Sequence, residues 1–288
     1  MHTTATDIKL VECPRDAMQG WKTFIPTADK INYLNQLLKV GFDVLDCGSF
    51  VSPKAIPQMA DTAAVIRGLR LNNTRSSLLV IVANTRGAEE AVAFDEIRAL
   101  GFPFSLSPTF QQRNTNSNME ESLERVEVIQ ECCVKNNKDL VIYLSMGFGN
   151  PYGDAYSEDL LLTWAGKMAG MGIQTISLAD TVGLATPEQI SRAVQTLVPQ
   201  YPQLEIGVHL HSTALNWNSK LDAAWQAGCT RYDGALKGIG GCPMAQDDLV
   251  GNMDTELMIP YFQGKGFLQA LNKEALAESA RLALDIFH

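Results

Sequence analysis

The chain of 288 residues lacks any apolar run that approaches the roughly 20 residues a helix needs to cross a bilayer. Its first residues also lack the positive start and apolar segment of a signal peptide, and the Arg-rich amphipathic pattern of a transit peptide. These absences predict a cytoplasmic protein that does not bind membranes.

Basic residues are few and scattered. Lys and Arg total 23 against 32 Asp and Glu, which gives a formal net charge of −9, and no Lys/Arg cluster occurs. Phosphate contacts dominate nucleic-acid affinity and need a basic surface. The chain is therefore predicted not to bind nucleic acid, although local cations could still hold a phosphate-bearing cofactor.

The six cysteines are also scattered, and none forms a C-x-x-C pair. A chain of this length can bury most of a core without disulfides, so reduced thiols are predicted. No Ser/Pro-rich linker interrupts the sequence. This favours a single domain over residues 1–288.

Short β-rich apolar runs recur about every thirty residues, with amphipathic helical patterns between them, as in repeated βα units. Such repetition predicts a single (β/α)8 TIM barrel over about residues 8–250 with a helical C-terminal extension over about 252–288. A doubly wound open sheet is the alternative. The eight predicted strands are Ile8–Glu12, Val44–Asp46, Leu78–Val82, Pro103–Leu106, Leu140–Leu144, Thr175–Leu178, Glu205–Leu210 and Arg231–Gly234.

Several helix starts carry their own signals. Thr27 is predicted to cap the first long helix, and Ser117–Glu120 is predicted to form a capping box. Thr186–Gln189 adds a proline in the first helical turn. Gly251–Asn252 is predicted to open a helix that continues to the end of the chain, with one break at Gly264–Gly266.

Polar side chains suited to catalysis follow the predicted strands at their carboxyl ends, where TIM-barrel active sites lie. One of these is Cys242, which lies in the glycine-rich stretch Gly238–Pro243. A cysteine is more often a small buried apolar residue than a catalytic one. Here, however, six further polar residues fall at the ends of other strands: Arg15, Asp16, Asp46, Asp180, His209 and His211.

His209 and His211 are two residues apart on a predicted strand, so both side chains face the barrel interior. Such a pair suggests a metal site; the alternative is one hydrogen-bonded and one exposed histidine. Together with Asp16 and Asn252 they would supply two nitrogens and two oxygens without a thiolate. That donor set suits Mg²⁺ or Mn²⁺ better than structural zinc.

Arg15 cannot lose its proton at working pH, so it suits stabilisation of a developing enolate rather than the role of a base. On a strand end, Arg15 and Asp16 would diverge, one toward the substrate and one toward the metal; an ordinary ion pair is the alternative. Asp46 and Asp180 each close a strand. Either carboxylate could take a proton, or simply make a cap or strand-end hydrogen bond.

Several segments in chain order, running from strand one to Glu256, resemble the 3-hydroxy-3-methylglutaryl-CoA lyase family of the metal-dependent DRE-TIM metallolyases. The segments around Ser49–Lys54 and Gly240–Pro243 are the more specific to the lyase branch. The matching segments are Pro14–Gln19, Ser49–Lys54, Pro57–Met59, Gln112–Asn114, Ser177–Gly183, His209–His211 and Gly238–Pro243.

The resemblance implies cleavage of 3-hydroxy-3-methylglutaryl-CoA to acetoacetate and acetyl-CoA, an acyl-CoA substrate, a homodimer and a place in leucine degradation. It implies that a divalent cation is held by Asp16, His209, His211 and Asn252. Arg15 would stabilise the enolate, Cys242 would act as the acid, and Asp46 and Asp180 would assist deprotonation of the hydroxyl. Residues expected to bind substrate or support the site are Gln19, Asn114, Glu256, Gly240 and Gly241.

The chain departs from the family at four places. Ser212–Leu215 replaces the usual Asp-Thr-Tyr-Gly, which removes a carboxylate near the metal and reshapes the pocket wall. Asp46 stands where the family has Glu, Met244 where an aromatic residue is common, and Cys13 where glycine is usual. Two alternatives follow: a related lyase, aldolase or Claisen-type synthase on another hydroxyacyl-CoA or 2-oxo acid, or a non-catalytic metal- or metabolite-binding barrel.

Overall fold

The computed structural model describes residues 7–241 and 250–288. Eight parallel strands form a closed barrel in chain order, and β1 pairs with β8 to complete it. The predicted TIM barrel is thus confirmed, and the open-sheet alternative is wrong. The strands are β1 Lys9–Glu12, β2 Val44–Ser49, β3 Ser77–Ile81, β4 Ile97–Ser105, β5 Asp139–Ser145, β6 Thr175–Ala179, β7 Glu205–His209 and β8 Arg231–Gly234.

Helices alternate with the strands. They are α1 Pro14–Gln19, α2 Thr27–Leu37, α3 Thr62–Arg67, α4 Thr85–Val92, α5 Pro108–Thr115, α6 Met119–Lys135, α7 Glu158–Gly170, α8 Pro187–Gln200, α9 Trp217–Gln226, α10 Thr255–Gln263 and α11 Lys273–Ile286. No helix among the described residues is both long and apolar enough to cross a membrane.

The helix start predicted at Thr186–Gln189 is confirmed, and the capping box predicted at Ser117–Glu120 lies one residue further along the chain. The Thr186 hydroxyl accepts from the Gln189 backbone, and the Gln189 side chain accepts from the Thr186 backbone, as a capping box requires. In α6 the box joins Asn118 and Glu121, not Ser117–Glu120. Asparagine caps as well as serine does, and the glutamate one position further along supplies the reciprocal bond.

Two other helix starts were predicted wrongly. Thr27 is the first residue inside α2 and makes no cap; its hydroxyl donates to Asp61 at 2.7 Å. The helix predicted from Asn252 begins only at Thr255, because residues 251–253 run in extended pairing beside the end of β7. The carboxylate of Asp254 caps it by accepting from the Glu256 backbone at 2.9 Å.

The main apolar core lies between the outer face of the barrel and the helices. Alternate strand residues point outward to it, and the others point into the barrel. Leu79, Ala99, Val141 and Tyr143 fill part of the interior as a separate apolar cluster. Above this cluster the interior becomes polar toward the carboxyl ends of the strands, where the candidate site lies.

Glu12, the last residue of β1, ties the end of β8 to the start of α10. It is 0% exposed, and its carboxylate accepts from the Leu236 backbone at 2.9 Å and from the Thr255 hydroxyl at 2.6 Å. Burial raises the pKa of Glu12 to about 8, because these two hydrogen bonds offset only part of the desolvation.

This pKa predicts a pH-dependent loss of stability. The folded pKa of Glu12, about 8, lies above its ordinary value of 4.5, so the folded state holds a proton that the unfolded state releases. The stability that this group contributes is fully present below pH 4.5 and is lost as the pH rises through about 8. We expect Glu12→Gln to remove that loss, because the amide keeps a hydrogen-bond partner for the Leu236 backbone and for the Thr255 hydroxyl.

The check is thermal unfolding of both proteins at about pH 5 and about pH 9. Glu12→Gln should gain stability relative to wild type at the higher pH only. Glu124→Gln, at an exposed position of α6, is the control and should change neither value. If the unfolding temperatures of Glu12→Gln and wild type changed equally with pH, the raised pKa of Glu12 would be contradicted.

Candidate active site

A pocket opens at the carboxyl ends of the strands, and six of the residues predicted for the site line it together. Its wall also includes the apolar side chains of Val51, Ile81, Pro103 and Phe110. The six predicted residues are Arg15, Asp16, Gln19, Asn114, His209 and His211. Closure of the barrel brings these residues together from both ends of the chain.

Asp16, His209 and His211 form a possible metal site. Their donor atoms all lie within 4.8 Å of one another, and the three residues are buried. Asn252 joins them: its Nδ2 donates to Asp16 Oδ2 at 2.7 Å and to the Ile239 carbonyl at 2.9 Å. Its Oδ1 is buried and has no hydrogen-bond partner among the described residues. A buried amide oxygen without a partner fits a ligand for a hard cation.

The orientation of each histidine is fixed by a hydrogen bond at Nδ1. His211 Nδ1 lies 2.8 Å from the Val250 carbonyl, which can only accept, so Nε2 of this ring is left unprotonated when the ring is neutral. His209 Nδ1 lies 3.3 Å from Asp233 Oδ2. In both rings Nε2 is therefore the nitrogen left for a metal.

Asp16 has the charge that a metal ligand needs. Burial alone would raise the pKa of this carboxyl, but Arg15, His209 and His211 lower it to about 2. Burial and the neighbouring His209 lower the pKa of His211, which keeps that ring neutral at physiological pH. An ionised carboxylate beside a neutral imidazole suits metal binding.

Gly240 lies directly against these donors. A Cβ at this position would fall 2.3 Å from Asn252 Nδ2 and 3.0 Å from Asp16 Oδ2, and its φ of +117° is one that other residues rarely adopt. Gly241 also has a positive φ, of +139°. Glycine at position 240 thus lets the backbone approach the donor set closely, and the supporting role of both glycines stays a prediction.

Arg15 is held on three sides. Its Nε lies 3.0 Å from Asp46 Oδ2, Nη2 lies 2.5 Å from the same oxygen, and Nη1 donates to Asp16 at 3.0 Å and to Gln19 at 2.8 Å. The predicted divergence of Arg15 and Asp16 is wrong, because both lie in α1 rather than on a strand end. Successive helical residues are about 100° apart, so these two side chains can meet.

The two carboxylates predicted to take a proton are both engaged by cations, and neither lines the pocket. Asp46 pairs with Arg15; burial raises its pKa, although Arg15 opposes the increase. Asp180 Oδ2 accepts from Lys220 at 2.7 Å, and its Oδ1 accepts from the Ala185 backbone at 3.0 Å. Their roles in proton transfer stay predictions.

The structure places the remaining predicted residues as follows. Glu256 forms a partly exposed ion pair with Lys237 at 2.8 Å and does not line the pocket. Cys242 and Met244 lie outside the described residues. The hydroxyl of Ser212 lies 3.5 Å from the Met253 sulfur, Leu215 is 97% exposed, and no residue of 212–215 lines the pocket.

The sequence did not indicate Lys220 or Asp233 as neighbours of the site, and it indicated Cys13 only as a departure from the family. Lys220 resembles an ordinary solvated lysine, and Asp233 a lone acid in a short strand. Cys13, with His209 and Asp233, makes a second buried group of possible metal donors. Burial raises the pKa of the Cys13 thiol well above its ordinary value, so this residue stays protonated and is the poorer ligand.

Comparisons with a family model and with known proteins indicate the same family for this chain. A family model described as HMGL-like matches residues 8–283. The chain is 32% identical over 282 residues to mitochondrial hydroxymethylglutaryl-CoA lyase of Mus musculus, covering 97% of this chain and 85% of that protein. It is also 32% identical over 275 residues to the cytoplasmic 3-hydroxy-3-methylglutaryl-CoA lyase of Homo sapiens, covering 94% and 73%. These two relatives differ in compartment, so the cytoplasmic location stays a prediction.

Solved structures agree with this result. An HMG-CoA lyase from Acinetobacter baumannii in complex with coenzyme A and 3-methylmalate superposes with a TM-score of 0.90 at 29% identity, covering 100% of this chain and 93% of that one. The HMG-CoA lyase from Brucella melitensis superposes with a TM-score of 0.88 at 27% identity, covering 98% and 99%. The resemblance seen in the motifs is confirmed: the chain belongs to the HMGL-like family and is an enzyme.

Proposed function

We propose that this enzyme is a divalent-metal-dependent lyase that cleaves 3-hydroxy-3-methylglutaryl-CoA to acetoacetate and acetyl-CoA by a retro-Claisen reaction. The observation that carries the proposal is the convergence of Asp16, His209, His211 and the unpartnered oxygen of Asn252 beside Arg15 in one pocket. The coenzyme A in the solved Acinetobacter baumannii relative supports an acyl-CoA as the substrate class.

Asp16, His209, His211 and Asn252 would hold the cation, and their oxygen and imidazole donors suit Mg²⁺ or Mn²⁺. When bound, the cation would polarise the hydroxyl and carboxylate oxygens of the substrate. A homodimer and a place in leucine degradation are expectations that rest on the resemblance alone.

The reaction breaks the bond between C2 and C3 of the acyl group. The C3 hydroxyl gives up its proton, its oxygen becomes the ketone of acetoacetate, and the electrons of the C–C bond pass to the enolate of acetyl-CoA. Asp46, which does not line the pocket, would take the hydroxyl proton through water, since burial raises its pKa and makes it a stronger base than an ordinary aspartate. Cys242 would then protonate the enolate carbon.

Arg15 would stabilise the enolate oxygen. Four of its five N–H groups point to Asp46, Asp16 and Gln19, and the fifth, on Nη2, has no partner among the described residues. Because the guanidinium is already held by three residues, it loses little further side-chain entropy when it donates to a developing anion. Asn114 and Gln19 line the same pocket and would contact the substrate or its neighbours.

The test is release of acetoacetate and acetyl-CoA by the purified protein with Mg²⁺ or Mn²⁺, beside an EDTA-treated sample. We expect product only with added metal, because the bound cation would supply the positive charge that polarises the substrate hydroxyl. A protein that binds Mn²⁺ and forms no product from this thioester would contradict the proposed substrate. Product formation that EDTA leaves unchanged would contradict the proposed metal dependence.

A further inference from the structure

Lys220 is a buried lysine of α9 that lies behind the candidate metal site. Its side chain is 2% exposed. Its Nζ donates to Asp180 Oδ2 at 2.7 Å, to the Gly183 carbonyl at 3.0 Å and to the His211 carbonyl at 2.8 Å. An ammonium group has three N–H donors, so each one has an acceptor.

These acceptors belong to the ends of two strands. The Asp180 backbone donates to the His209 carbonyl at 2.9 Å, and its side chain accepts from Ala185 in the following loop. His211 lies two residues beyond the end of β7 and outside the strand ladder. Among the described residues its strand pairing is limited to an isolated bridge with Asn252. The lysine thus fastens the segment that carries two of the predicted metal ligands.

We propose that Lys220 is a positioning residue that fixes His211, and through it Asn252, for metal binding. The inference rests on the proposed function, since it concerns the same site. A hydrogen bond from an ammonium is stronger than one between neutral groups, and burial of the pair excludes competing water. Asp180 supplies the countercharge without which the ammonium could not be buried. In this proposal Asp180 serves to hold Lys220, and Asp46 is the carboxylate left to take the hydroxyl proton.

The chain offers a matched control. Lys30 of α2 is also 2% exposed and pairs with Asp61 at 2.7 Å, and its Nζ donates to the carbonyl of Gln58. It does not line the pocket. Removal of either ammonium leaves an aspartate without its cation and a buried lysine site without its charge-assisted hydrogen bonds, so Lys220→Met and Lys30→Met should both lower the unfolding temperature. Only Lys220→Met should alter the metal site.

The experiment is calorimetric titration of the metal-free full chain with Mn²⁺, together with the electron paramagnetic resonance spectrum of bound Mn²⁺. We expect Lys220→Met to weaken Mn²⁺ binding by on the order of tenfold to 100-fold and to alter the spectrum. Lys30→Met should keep both at wild-type values. Asp180→Asn is a second variant that leaves the lysine in place without its countercharge; it should weaken Mn²⁺ binding in the same direction, and it decides the question if Lys220→Met does not fold.

Unchanged Mn²⁺ affinity in the Lys220 and Asp180 variants would overturn this inference while leaving the proposed function intact, provided that the wild type binds Mn²⁺ and forms product. An equal loss of affinity in Lys30→Met would also overturn it, because the effect would then be one of general stability. A wild type that binds no Mn²⁺ would overturn both proposals.

Discussion

Replacement of Arg15 by lysine is expected to lower kcat by on the order of 10³, at saturating substrate and metal, with folding retained. Lysine keeps the positive charge but has no planar fork, so it cannot bridge Asp46, Asp16 and Gln19 while donating to an enolate. The loss should fall on kcat, since the missing donor acts on charge that develops only in the transition state.

The matched control is Arg98→Lys. Arg98 is about half exposed and pairs with Asp139 at 2.8 Å at the opposite end of the barrel. This substitution should leave kcat, KM and the unfolding temperature close to those of wild type, because exposed ion pairs contribute little. Steady-state kinetics with both variants makes the comparison. A kcat for Arg15→Lys within tenfold of wild type would exclude Arg15 as the main stabiliser of the enolate.

The barrel could be predicted because its signal is repeated and local. Each strand is a short apolar run and each helix has its own period, so the errors stayed at the boundaries. In β4, which begins at Ile97 rather than Pro103, Arg98 and Gly101 interrupt the apolar run and hide the start. The extended segment at Asn252 was missed because only pairing with the end of β7 holds it out of the following helix.

The candidate site was predictable as a set of residue types at strand ends, but not as a set of contacts. A six-residue helix follows β1 directly, and PRDAMQ carries too few residues to show a helical period. The sequence therefore predicted that Arg15 and Asp16 diverge from a strand end, whereas the structure shows the alternative, an ion pair between them. Lys220 and Asp233 lie 9 and 24 residues from the histidines they support. Parallel pairing of the adjacent strands β7 and β8 brings Asp233 beside His209.

Asp16 is the residue whose loss should most directly abolish metal binding. Asp16→Asn removes the only carboxylate in a donor set that otherwise consists of two imidazoles and an amide. It also removes one of the two carboxylates that balance the positive charge of Arg15. We expect Mn²⁺ affinity to fall at least about 100-fold, because hard cations depend on ionised oxygen ligands. Asp61→Asn, which disrupts the partly buried ion pair with Lys30 outside the pocket, should lower stability and keep Mn²⁺ affinity. Calorimetric titration of both variants measures the difference. If Asp16→Asn bound Mn²⁺ as tightly as Asp61→Asn, the cation would have to lie elsewhere, and Arg15 would be left as the main electrophile facing the substrate.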